Sequence, residues 1–163
     1  MSVREIRPGH EAAAHRFAIV AARFNEAYVR RMVDAALEVL RGRGVRDDAV
    51  SVAWVPGSYE LPLAAQWAIG RGHVDAVLAL GVVIRGETEH FRLVAAAASD
   101  GLMRVMLDTG VPVVNGVLAA YDAEQAAART GGALGNRGAD AALAGIAMAN
   151  LRHAMRETPA EAR

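Results

Sequence analysis

The 163-residue chain has no cysteine and, read residue by residue, no lysine; all 18 basic side chains are arginine, matched by 18 acidic ones. Without cysteine there is no thiolate nucleophile, disulfide, zinc knuckle or iron–sulfur cluster. Without lysine there is no protein Schiff base and no Walker-type phosphate lysine. A formal net charge of zero and a pI near 7.0 argue against a broad nucleic-acid footprint. No uncharged apolar run approaches the roughly 20 residues of a membrane span. The stretch up to Arg16 lacks the apolar core of a signal peptide and is too acidic for a transit peptide. The chain is therefore expected to be cytoplasmic, with neither nucleic acid nor membrane as partner. What is present is a hydrophobic content of 53%, which excludes a disordered chain and suffices for one buried core.

Residues 1–15, with Pro8, Gly9 and scattered charge, read as a loose N-terminal arm or a segment ordered by a neighbour. Residues 16–158 form one α/β unit, and 159–163 a short tail. Apolar runs at 17–22, 50–55, 74–84 and 111–118 have strand length and are too continuous for a sheet with one face in water. Between them the spacing is helical: Val29, Met32, Val33, Ala36, Leu37 and Leu40 make one stripe, and Leu61, Ala64, Ala65, Ala68 and Ile69 another. A third stripe runs from Val94 to Met106. A short helix capped by Asp122 follows, then a glycine-rich break at 131–138 and a last helix over about 139–156. Alternating strands and helices of this kind predict a three-layer α/β fold: a four-stranded parallel sheet in flavodoxin-like order 2-1-3-4, helices on both faces.

In such sheets ligands bind outside the carboxyl ends of the strands. The first strand runs into Arg23, Phe24 and Asn25; the second into Pro56, Gly57, Ser58, Tyr59 and Glu60. The third runs through Val82, Val83 and Ile84 to Gly86, Glu87, Thr88 and His90, and the fourth is expected to end at Asn115 and Gly116. Each residue has a plain structural reading as well. Phe24 is either a hydrophobic staple or a stacking platform, and Ser58 and Glu60 either cap a helix or bind a ligand. Arg129 either balances a helix dipole or contacts phosphate, and Arg137 is similarly ambiguous. His90 differs from His10, His15, His73 and His153, which read as solvated, because it stands at a helix start behind a long buried strand. The segment at Gly86, Glu87 and Thr88 offers backbone N–H groups to an anion, yet the glycines match neither the Rossmann nor the P-loop fingerprint.

Taken together, Ala22-Arg23-Phe24-Asn25, Val55-Pro56-Gly57-Ser58-Tyr59-Glu60-Leu61-Pro62 and Gly81-Val82-Val83-Ile84-Arg85-Gly86-Glu87-Thr88-Glu89-His90-Phe91 resemble the 6,7-dimethyl-8-ribityllumazine synthases. The likeness continues through Gly110-Val111-Pro112-Val113, Gly135-Asn136-Arg137-Gly138 and Met148-Ala149-Asn150-Leu151. It implies condensation of 5-amino-6-(D-ribitylamino)uracil with 3,4-dihydroxy-2-butanone 4-phosphate, without metal or organic cofactor. By the same resemblance Phe24 stacks on the pyrimidine, flanked by Asn25, and Ser58, Tyr59 and Glu60 hold the ribityl and uracil side. Val82, Val83 and Ile84 offer backbone groups to the heterocycle. Glu87 and Thr88 bind phosphate with Arg129 as counter-charge, and His90 transfers protons.

The chain departs from the family at Asn115, where many relatives carry a phenylalanine supplied by a neighbouring subunit. It departs also at Glu87, often a small residue, and in the glycine loop, where Ala133 and Arg137 replace lysines. Asn115 can still hydrogen-bond a ligand, and Arg137 can reach a ribityl hydroxyl. The resemblance implies a homopentamer with shared sites and leaves a 60-subunit capsid open. The alternative is a carrier or sensor of the same fold that binds flavin or lumazine without catalysis.

Overall fold

The computed structural model describes residue 3 and residues 5–157; the tail expected at 159–163 lies outside the described residues. Strands β1 (Phe17–Ala22), β2 (Val50–Val55), β3 (Ala76–Ile84) and β4 (Val113–Ala120) form a parallel sheet in the order β2-β1-β3-β4. β1 and β3 are central, which explains their composition. Every residue of β1 is buried, as are eight of the nine in β3, because helices cover both faces. Helices α1 (Glu26–Gly42) and α5 (Arg137–Glu157) close one face over Phe17, Ile19, Leu78 and Leu80. Helices α2 (Leu61–Gly70) and α3 (His90–Thr109) close the other over Val20, Val77 and Ala79. Each of the larger of these side chains, from valine up to phenylalanine, contributes about 1.5–3 kcal/mol on burial, so the two central strands hold the layers together.

The short helix α4 (Ala123–Ala128) is capped as expected, Asp122 Oδ1 accepting from the Gln125 amide at 2.7 Å. The edges of other elements differ from the sequence reading. β3 starts at Ala76, because the Asp75 amide bonds the Arg16 carbonyl (2.8 Å) and the Asp75 carboxylate accepts the Arg16 amide (2.7 Å). β4 starts after Pro112 and runs on to Ala120, opposite Ile84. The glycine-rich break folds into a small antiparallel hairpin, β5 (Thr130–Gly132) with β6 (Gly135–Asn136), turned by Gly131 and Gly135 at positive φ.

Residues 9–15 are not a loose arm. Ala12 is buried and donates its N–H to the Arg43 carbonyl (3.1 Å), while Asn150 Nδ2 on α5 donates to the carbonyls of Gly9 and Glu11, both at 2.9 Å. His15, expected to be solvated, is held between Asn150 Oδ1 (2.7 Å) and Asp75 (3.6 Å). A run of small and polar residues conceals this attachment, because its partners, Arg43, Asp75 and Asn150, belong to three later parts of the chain. No helix among the described residues is long and apolar enough to cross a membrane.

Candidate active site

A cleft of about 460 Å³ opens at the carboxyl end of the sheet. Its first wall is made where β1 ends. The Arg23 and Phe24 amides donate to the carbonyls of Val55 and Pro56 (2.8 and 3.0 Å), clipping the exit of β1 to that of β2. Asn25 then adopts the left-handed conformation (φ 59°, ψ 37°), one that asparagine tolerates better than most residues, and α1 begins. Its Nδ2 donates to the Val82 carbonyl at 2.8 Å and so ties the corner to β3. Phe24 is left 71% exposed on the rim. A hydrophobic staple would be covered, so this ring is available as a platform.

The second wall follows β2. Residues Ser58–Glu60 form one 3-10 turn ahead of α2, in which Glu60 Oε2 accepts the Gly57 amide at 2.9 Å. Glu60 therefore does close a turn, as its plain structural reading holds, yet Oε1 has no hydrogen-bond partner among the described residues. Ser58 is buried against Gly81; a Cβ at that glycine would collide with the Ser58 hydroxyl, so glycine there is a packing requirement. Tyr59 stays exposed beside it.

β3 supplies the floor. Its pairing with β1 stops at Ala21 opposite Leu80, while its pairing with β4 continues to Ile84 opposite Ala120. Beyond Leu80 one side of β3 is thus without a strand neighbour. By the alternation of strand backbone, Val82 and Ile84 turn their amide groups to that open side, consistent with Asn25 reaching the Val82 carbonyl. Val83 has the opposite parity, shared with Arg85, whose amide bonds the Ala120 carbonyl of β4 at 2.9 Å. Val83 lines the cleft, but its backbone belongs to the β4 ladder, contrary to the expectation of a third backbone contact.

The start of α3 completes the cleft. Thr88 Oγ1 accepts the His90 amide (3.3 Å), and the His90 imidazole is exposed with no partner among the described residues. An imidazole so placed is free to exchange protons with a bound molecule. Pro56, Gly57 and Gly86, named in the sequence as the segments that follow their strands, also line the cleft, as do Phe91 and Val94, which were not among the expected site residues. Val94 was findable, since it stands one turn after His90 on the same helix face.

Asn25 supports the cleft through its bond to Val82 without lining it, and four further expected residues are elsewhere. Asn115 lies within β4 rather than at its end, opposite Ala79 and roughly 10 Å along the strand from the level of Val82. It bonds Ser99 Oγ (2.7 Å) and, with Arg137, lines a separate groove of about 420 Å³ between β4 and α5. Arg137 pairs with Asp140 at 3.3 Å. Arg129 caps the end of α4, its guanidinium donating to the Gln125 carbonyl (3.2 Å), and does not line the cleft. Glu87 is exposed and also outside the cleft lining.

A family model described as 6,7-dimethyl-8-ribityllumazine synthase matches residues 14–153. The chain belongs to the 6,7-dimethyl-8-ribityllumazine synthase family. A relative of that name from Chlorobium phaeobacteroides is 45% identical over 151 residues, covering 93% of this chain and 97% of its own. One from Halorhodospira halophila is 48% identical over 136 residues, covering 83% and 87%, and one from Xanthomonas euvesicatoria pv. vesicatoria is 47% identical with 83% and 88% covered. The synthase family match includes every element of the sheet and the whole cleft.

Proposed function

We propose that the chain is the riboflavin-pathway enzyme that condenses 5-amino-6-(D-ribitylamino)uracil with 3,4-dihydroxy-2-butanone 4-phosphate. The products are 6,7-dimethyl-8-ribityllumazine, phosphate and water. The observation that carries this reading is the convergence, on one cleft, of an exposed ring, a polar turn and an unpartnered imidazole. The amine that forms the imine belongs to the substrate, so a protein without lysine or cysteine lacks nothing the reaction needs. Phe24 stacks on the pyrimidine, Asn25 sets its corner, and Ser58, Tyr59 and Glu60 bind the ribityl chain and uracil edge. Val82 and Ile84 offer backbone groups to the heterocycle. His90 moves protons during imine formation and loss of phosphate, both of which call for an acid–base group working near neutrality. Holding the two substrates together supplies a large part of the acceleration.

Phosphate sits at the start of α3, on backbone N–H groups by Glu87 and the Thr88 hydroxyl. Its charge grows as it leaves, so a fixed cation beside it favours the transition state. Arg129 is that cation in our reading, and because it lies away from the cleft of its own chain, it comes from a second copy. Asn115 and Arg137 reach a neighbour's cleft in the same way. A homopentamer is supported by the apolar side chains left exposed along α2 and α3, namely Leu63, Trp67, Leu93, Met103 and Leu107. Phosphorylated, water-soluble substrates imply the cytoplasm as the compartment.

The test is to mix both substrates with the purified protein and follow lumazine fluorescence. Turnover well above the spontaneous rate is expected; no acceleration leaves a binding protein without catalysis. Light scattering is expected to return a mass of at least about five chains of 17.2 kDa, and a monomer would remove the shared-site arrangement.

A further inference from the structure

The amino end of the sheet, opposite the cleft, holds a second polar cavity of about 530 Å³. His15 and Asp75 enter it from the segments before β1 and β3, and Asn150, Arg152, His153 and Arg156 from the last turns of α5. The acidic group inside it, Asp75, is already engaged. Asp75 accepts the Arg16 amide (2.7 Å) and stands 3.3 Å from His73 Nε2 and 3.6 Å from His15 Nδ1. Glu157 faces His153 Nε2 at 3.0 Å, and Glu11 at the rim is exposed. Asn150 spends both N–H groups on Gly9 and Glu11, so its oxygen accepts a hydrogen bond from His15 Nε2–H.

The cations are not matched. Among the described residues neither Arg152 nor Arg156 makes a side-chain hydrogen bond or ion pair, and Arg152 Nε is buried without any partner. Native proteins rarely leave a buried donor in that condition. Burial, and after it the nearby Arg156 charge, lowers the Arg152 pKa, with Asp75 opposing the shift. An anion between the two arginines would offset both lowering effects by stabilising the charged guanidinium. A cation would meet two guanidinium groups, and among the described residues no three His, Asp or Glu side chains converge as a metal site requires.

We propose that this cavity is a binding site for a phosphoryl group, gripped by Arg152 and Arg156 with His73 and His153 at its rim. The two arginines stand one turn apart on α5 and present several N–H donors to the same space. One guanidinium satisfies the two oxygens of a carboxylate, whereas a phosphoryl group has oxygens for both arginines and an imidazole. The cavity is larger than inorganic phosphate, so a small phosphomonoester fits as well as the free ion. This site is independent of the cleft and of the reaction assigned to it.

Equilibrium dialysis of the full chain against radiolabelled inorganic phosphate tests the proposal. Arg152→Gln and Arg156→Gln are each expected to weaken binding at one site per chain by at least about tenfold, with turnover unchanged. Arg156 is exposed, so its substitution reads binding even if Arg152→Gln fails to fold. Glycerol 3-phosphate competing better than inorganic phosphate assigns the ligand as an ester; the reverse order assigns the free ion. Phosphate binding unaltered in Arg156→Gln, or displaced by equimolar acetate, overturns the proposal.

Discussion

The two ends of the sheet are built from similar side chains and use them in opposite ways. At the amino end, histidine, aspartate and asparagine are spent on one another: His15 on Asn150, Asp75 on Arg16 and His73, Asn150 on the segment at Gly9 and Glu11. These bonds fasten residues 9–15 to α5. At the carboxyl end, the His90 imidazole, Glu60 Oε1 and the Phe24 ring have no such partners among the described residues, and β3 leaves one backbone side without a strand. Groups that satisfy each other stabilise, and groups left unsatisfied at a cleft are available to a ligand. Among the described residues, Arg152 and Arg156 at the amino end depart from that division, having no side-chain partner of their own.

Substitutions at each end should separate stability from activity. The largest expected effect is that of His90→Ala, which should lower turnover by about a hundredfold or more, the usual contribution of a positioned acid–base group, while leaving the melting temperature unchanged. Equal turnover in stopped-flow fluorescence would remove His90 from the chemistry. Next, Gly81→Ala drives a methyl group into the Ser58 hydroxyl under the cleft floor. It should cost about 1–3 kcal/mol in urea unfolding and reduce activity too, because Ser58 must move. Asn150→Ala removes three hydrogen bonds at the amino end. A loss of about 1–3 kcal/mol with normal turnover is expected, and a matching loss of turnover would show that the two ends are coupled. Phe24→Ala is the mildest, about 0.5–1.5 kcal/mol of ring contact, seen as a several-fold rise in KM for the pyrimidine with stability untouched.

The four strands and five helices were legible in the sequence because burial on both faces leaves continuous apolar runs and each covering helix leaves a stripe. The strand ends were less so. Asn115 looks terminal in the sequence, yet β4 continues through Gly116 to Ala120, since its length is set by pairing with β3 and not by its own residues. The hairpin at 130–136 was visible only as glycines. In the cleft, Phe24, Ser58, Tyr59, Glu60, Thr88 and His90 could be anticipated from their positions after strands. That the Phe24 ring stays exposed could not, because exposure depends on elements far away in the chain, whereas the bond of Arg129 to the Gln125 carbonyl at the end of α4 is local and agrees with its plain structural reading.

The sequence by itself determined the order and type of the elements, the sheet topology they imply, and a chemistry that uses no thiol and no protein amine. Those follow from local periodicity and from residue types that are simply absent. The tertiary structure alone decided which polar groups are spent and which are left. His15 and His90 differ little as residues, but one meets Asn150 and Asp75 across the fold and the other faces an open cleft. Satisfaction of a polar group is a property of its neighbours in space, and those are chosen only when the layers close.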